Sequence, residues 1–461
     1  MFFRFPARLW FGPLIIHPSS PTTFMRHLLA LATLLTVALA TASAQTNITW
    51  SGGDSTFSNS ARWVGGVVPA NDTTSNIAVI HGEVNVVLTA SRSVAGLDGS
   101  FNYFTATGGA VLTLGSAGFI GEGNVSVSLA GSGGVTTTSF LTRSGTTTYT
   151  GGPVVAGGGT LGLGHASALG TGLVTVQDGG ALRSGTGESL TLTTNNAFVF
   201  QGSPDLNNLS LGTGPVSLAS ANSSFIVGGT VTIGGAISGT GTSILLDNQG
   251  TLILTGNSTY THTTQLQGGV LVVNGSLASA VTAAGMVAGT GTINGATTVG
   301  IDGQLAPGAT DGAGTGLLTF GSTLTLGGRN MNSVFEINGT TRGTGYDAVN
   351  VAGLTTYGGR LNLVFGSTIP DGTTLDLFGL TGGSAGSFNF VTGSGTYPGN
   401  FTNNGGVWTL FSGGQTLTFT QSTGDLVFGL AAVPEPATCA ALAGLAALGL
   451  AATRRRRFTA R

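Results

Sequence analysis

Between about residue 85 and residue 430 the apolar residues keep a period of two, and glycine interrupts the pattern every few positions. Ser189-Leu-Thr-Leu-Thr193, Thr251-Leu-Ile-Leu-Thr255, Thr323-Leu-Thr-Leu326 and Gly359-Arg-Leu-Asn-Leu363 are examples. Apolar residues alternating with Thr, Ser or Asn read as short half-buried strands, and no segment of useful length carries a helical period. Gly268-Gly269, Asn274-Gly275, Asn294-Gly295 and Asp302-Gly303 punctuate the strands. Each dipeptide offers a position that tolerates positive φ, which tight turns require. Strands this short cannot bury a face alone. Stacked as successive coils they share one continuous core, so the predicted fold is an all-β solenoid with coils of roughly 20 residues. A jelly roll or an array of Ig-like sandwiches shares the alternation, but fits less well with such short strands and Gly-rich turns.

Internal similarity supports the coil reading. Gly145-Thr-Thr-Thr-Tyr149-Thr precedes Gly159-Thr-Leu-Gly-Leu163, much as Gly256-Asn-Ser-Thr-Tyr260-Thr precedes Gly268-Gly-Val-Leu-Val-Val273. Ile237-Ser-Gly-Thr-Gly-Thr242 echoes Val287-Ala-Gly-Thr-Gly-Thr292. The stretch Gly235 to Gly275, centred on Gly250-Thr-Leu-Ile-Leu-Thr-Gly-Asn-Ser-Thr-Tyr-Thr, resembles the autotransporter-associated β-strand repeat, with His262 where that family usually has Gly. Residues 141–164 resemble a second, more degraded copy. The resemblance implies a right-handed parallel β-helix at an outer surface.

Both ends read as addresses. Arg26 and His27, the apolar run Leu28 to Ala40, and Ala42-Ser43-Ala44 have the order of a signal peptide, with cleavage set by Ala42 and Ala44. Residues 25–44 are therefore expected to be the signal peptide, handled by the Sec translocon and signal peptidase. Residues 1–24 fit no such grammar, and Met25 is expected to be the true start. At the other end, Val433-Pro434-Glu435-Pro436 is followed by the uncharged run Ala437 to Ala452 and then by Arg454, Arg455, Arg456 and Arg457. A helix over that run reaches about 24 Å, barely a membrane span, and the Arg cluster should stay cytoplasmic. Residues 432–461 resemble the PEP-CTERM sorting signal. The resemblance implies a single transmembrane sorting helix, the motif Pro434, Glu435 and Pro436, and an exosortase-type membrane transpeptidase as partner. It also implies export, transient anchoring in the inner membrane, and release to the cell surface or beyond.

Residues 45–82, with Trp50, Trp63 and Val68-Pro69, are expected to cap the first coil, since an open first rung would pair with other chains. Sugar stacking is the sharper alternative for the two Trp. The solenoid is expected over 83–320. Residues 321–431 carry longer strands and more aromatics, as a wider terminal section or a small packed β-domain.

Little in the sequence points to catalysis. Charged residues are 7% of the 461, Lys is absent, and residues 45–432 hold seven Arg against 16 Asp and Glu, a formal net of −9. That balance argues against nucleic acid. A polysaccharide lyase needs a basic proton acceptor, and a hydrolase needs paired carboxylates. The acids mostly sit in turns, as at Asp178-Gly179, Asp311-Gly312 and Asp371-Gly372. His81, His165 and His262 lack metal-ligand spacing, and the Gly-rich runs lack the residues of a phosphate loop. Cys439, the single Cys, lies in the sorting run, so the ectodomain is held by packing and hydrogen bonds alone. No catalytic residue, cofactor or metal is expected. The expected role is a non-enzymatic structural or adhesive protein of the cell surface or extracellular matrix, with extracellular polysaccharide as a further partner. A polysaccharide-active enzyme or a carbohydrate-binding module is the alternative. A groove of converging Asp, Glu and Arg would favour the enzyme, and a flat Thr/Asn wall the structural role.

Overall fold

A computed structural model describes residues 45–430 apart from 221, 240–242, 247–248 and 309–313, together with residue 445. The described body from residue 47 onward is β throughout, save for two 3-10 turns at Ser60–Arg62 and Val64–Gly66. Its strands pair in parallel with the strand one coil later. Leu141 stands against Leu161, then Leu182, Leu206 and Val227. A second row, four residues along the same strand, runs from Leu209 through Val231, Leu252, Leu271, Val287 and Leu305. All are buried, so each aliphatic packs on its counterpart above and below. Removing such side chains from water is the main stabilising term in a body without disulfides, at about 1.5–3 kcal/mol for each.

From about residue 250 a coil visits three faces in turn. Thr251–Leu254 lies on the first, Asn257–Ser258 on the second and Thr264–Leu266 on the third, and Val270–Val273 returns to the first. Coil length is not constant. Leu252 pairs with Leu271, 19 residues on, and Leu271 with Val287, 16 on. Leu305 pairs with Ser333, 28 residues on, and Leu361 with Val391, 30 on. A longer coil encloses a wider interior, which aromatic rings fill: Phe335 lies 5.0 Å from Phe378, and Tyr357 lies 4.8 Å from Phe388. The coils end where Phe390–Gly395 turns back antiparallel on Gly399–Asn400. A five-stranded antiparallel sheet follows, built from Thr374–Asp376, Thr402–Asn404, Val407–Ser412, Gln415–Thr420 and Asp425–Leu430.

Glycine serves two purposes here. Some positions take positive φ, as Gly269 (64°) and Gly179 (72°) do. In the Asp302-Gly303 turn the left-handed residue is Asp302 (φ 58°), a conformation that Asp tolerates. The Asn274-Gly275 corner works differently. Gly214, Gly235, Gly256, Gly275 and Gly291 stack one above another, and a Cβ on each from Gly235 onward would overlap the carbonyl oxygen of the one before. These glycines allow backbone to lie directly on backbone.

At the start of the body, Trp50 and Trp63 meet edge to face at 4.9 Å, and Phe57 lies 5.1 Å from Trp63. Trp63 Nε1 donates to the Phe57 carbonyl at 2.8 Å. Trp50 is 4% exposed and Trp63 2%, so neither ring offers a face to a sugar, and the stacking alternative for these two Trp falls. Both instead pack under the first coil.

Candidate functional site

A concavity of about 680 Å³ lies between the second coil face and the terminal antiparallel sheet. Asn350 and Gly379 line it from the coil strands Ala348–Val351 and Phe378–Leu380, and Asp376 and Asp425 from the antiparallel sheet. Asp376 and Asp425 are cross-strand partners. Arg342 braces two of these lining residues. Its Nε donates to the Asp376 carbonyl at 2.9 Å and lies 3.3 Å from Asp376 Oδ2. Its Nη1 donates to Asn350 Oδ1 at 2.7 Å, and its Nη2 to the Val349 carbonyl at 2.9 Å. A Cβ at Gly379 would stand 2.7 Å from Asn350 Oδ1 and 2.8 Å from Arg342 Nη2, so a side chain there would displace this network. Burial raises the Asp376 carboxyl, Arg342 opposes that, and the Asp425 charge adds to the rise.

Sequence reasoning did not single out these three residues. Arg342 and Asp376 are 34 positions apart, Asp425 lies 49 further on, and no local pattern links them. Chemically the site is a carboxylate pair beside a guanidinium. All three guanidinium nitrogens are already engaged by the protein, so Arg342 ties the coils to the terminal sheet. The carboxylates of Asp376 and Asp425 share the groove lining with Thr319, Thr381 and Thr423.

A second buried carboxylate is structural. Asp347 Oδ1 accepts from the Gly316 backbone N–H and Oδ2 from the Glu336 N–H, both at 2.7 Å. Burial is the main influence on its pKa, pushing it up to about 7 against these two hydrogen bonds, and the Glu336 charge adds to the rise. The folded state therefore holds a proton that the unfolded chain releases near pH 4. This contribution is fully present below pH 4 and is lost as pH rises through 7. From pH 5 to 8 the loss is about 3 kcal/mol. The wild-type thermal midpoint is expected to fall over that interval, and Asp347→Asn to fall distinctly less. Equal falls in the two proteins would refute the assignment.

The third face carries the opposite kind of surface. Gln265, Thr282, Thr298, Thr325 and Thr356 form one outward column across successive coils. Just inside it, Thr264 Oγ1 bonds the Tyr260 hydroxyl and Ser279 Oγ, each at 2.7 Å. Of the histidines, His81 lies 3.6 Å from Asp98, and His165 Nδ1 faces Ser167. Among the described residues no three His, Cys, Asp or Glu side chains gather as a metal site would need.

The last strand of the body ends at Leu430. Residues 432–457 match the PEP-CTERM protein-sorting motif. The chain therefore carries a sorting motif that starts two residues after the last described strand. PEP-CTERM motifs imply export, cell-surface sorting and exosortase processing. Pro434, Glu435 and Pro436, the run Ala437 to Ala452 apart from residue 445, and Arg454 to Arg457 lie outside the described residues, as do Ala42 and Ala44 at the other end. Among the described residues no helix is long and apolar enough to cross a membrane. No curated protein matches the chain.

Proposed function

We propose that this chain is a non-enzymatic structural or adhesive protein of a bacterial cell surface or extracellular matrix, released from the inner membrane by an exosortase-type transpeptidase. The supporting observation is the order of the chain: a body of stacked parallel coils, closed by an antiparallel sheet whose last strand ends at Leu430, is followed by a sorting motif from residue 432. A disulfide-free coil stack suits an extracellular role, because it draws rigidity from backbone ladders and packed aliphatic rows. The coils are those of a right-handed β-helix, the hand that parallel crossover connections favour. The resemblance of residues 235–275 to the autotransporter-associated repeat supports the same location.

Mass spectrometry of the mature C-terminus tests the reading. The expected product lacks Arg454 to Arg457 and appears in the surface or extracellular fraction. An intact Arg tail on a permanently membrane-bound form would overturn it. A polysaccharide-active enzyme has one supporting feature, the cross-strand pair Asp376 and Asp425 in the groove. The engagement of Arg342 by Asn350, Val349 and Asp376 weighs against a lyase, since that side chain is not free to accept a proton.

A further inference from the structure

The strand Phe140–Arg143 is inverted. Leu141 and Arg143 point inward, while Phe140 points outward and is 55% exposed. Exchanging the two end residues would bury the ring and solvate the charge, so packing does not account for the order. A second ring, Tyr103, stands 57% exposed on the same part of the wall. The parallel register relates them. Ser100 pairs with Glu122 and Tyr103 with Asn124, while Gly123 pairs with Leu141, which sets Phe140 beside Glu122 one rung later. Phe140 thus stands one rung from Glu122, and Tyr103 one rung from Asn124 on the other side, so the rings lie two rungs apart, roughly 10 Å, and two residues out of line along the strand. Phe140 lines a groove of about 310 Å³ together with Glu83, Ser100, Asn102 and Glu122, and Tyr103 follows Asn102 on the same strand. Among the described residues neither Glu forms an ion pair, and no Arg lines the groove.

From this constellation we infer that the groove binds a non-acidic glycan chain, neutral or amino-substituted. Exposed rings offer flat apolar faces to the C–H faces of sugars. Carboxylates and an amide accept and donate the paired hydrogen bonds that neighbouring sugar hydroxyls present, and an ionised acceptor strengthens them. Two carboxylates with no cation in the groove repel uronate and sulfated chains and attract amino groups. The inference rests on the surface-protein reading and names its partner.

Affinity electrophoresis of the secreted mature protein tests it, in gels containing a neutral glucan, a polyglucosamine or a polyuronate. Retardation is expected in the glucan or the polyglucosamine gel and not in the polyuronate gel. The double variant Tyr103→Ala/Phe140→Ala, altered only at exposed positions, should bind at least tenfold more weakly. Phe140→Tyr should retain binding. No retardation in either non-acidic gel, retardation by polyuronate alone, or full retention by the double variant would each overturn the inference. Mass spectrometry of the C-terminus on the same preparations separates this outcome from failure of the surface-protein reading, since the wall variants should still be processed.

Discussion

Gly275→Ala is expected to destabilise the coil stack by about 2–3 kcal/mol, the cost of forcing extra volume into a site that cannot open. The new Cβ overlaps the Gly256 carbonyl oxygen, and Gly291 presses on Gly275 from the next coil. Relief requires one coil to lift from another, which lengthens ladder hydrogen bonds such as Ser276 N–H to the Gly256 carbonyl, 3.2 Å as it stands. Gly158→Ala is the control. That residue also lacks a side chain, but it sits at φ 78° with nothing within 4 Å of the added carbon. Its cost is conformational strain alone, about 1–2 kcal/mol. Chemical denaturation of the two variants, with hydrogen exchange at the amides of residues 270–277, would show the difference. A Gly275→Ala protein with wild-type exchange there would mean that the corner is looser than its stacking implies.

The second large effect has the opposite sign. Arg143 is 0% exposed and, among the described residues, pairs with no carboxylate. Its Nη1 and Nη2 donate to the Val125 and Val127 carbonyls at 3.2 and 3.3 Å, and its Nε finds no partner. Burial pulls its pKa down to about 10, so it still carries a charge at neutral pH. The nearby Tyr149 hydroxyl, pushed up to about 12, stays neutral and supplies no counter-charge. Replacing a buried, poorly compensated charge with an apolar group of similar volume commonly stabilises by 1–4 kcal/mol. Arg143→Met is expected to gain about 2 kcal/mol in denaturant titration. Arg143→Ala should lose stability by leaving a cavity. A loss in the Met variant would show that the carbonyl contacts outweigh the buried charge.

These two residues also mark how much of the fold the sequence discloses. Thr251-Leu-Ile-Leu254 forms a strand where its alternation places one, and Thr323-Leu-Thr-Leu326 does so from Leu324. Alternation survives in the sequence because each strand buries one side. The same parity already places Arg143 inward with Leu141, but hydrophobicity alone reads an Arg as outward. The glycine corners are half legible. Their spacing announces turns, but only the stacked coils show that Gly275 is needed for close approach and Asp302 for positive φ. The groove at Asp376 and Asp425 is not legible at all. It arises from an antiparallel pairing closed by an Arg from a distant segment, and pairing partners leave no local signature.

The antiparallel closure after Gly395 has a mechanical consequence. A stack of parallel rungs grows most easily by adding another rung, so an open end would let identical molecules add head to tail without limit. At this end the next layer runs in the wrong direction, and the template stops. Any network such molecules build must therefore be knitted through their side walls, with mesh set by what bridges those walls and not by how long a filament becomes.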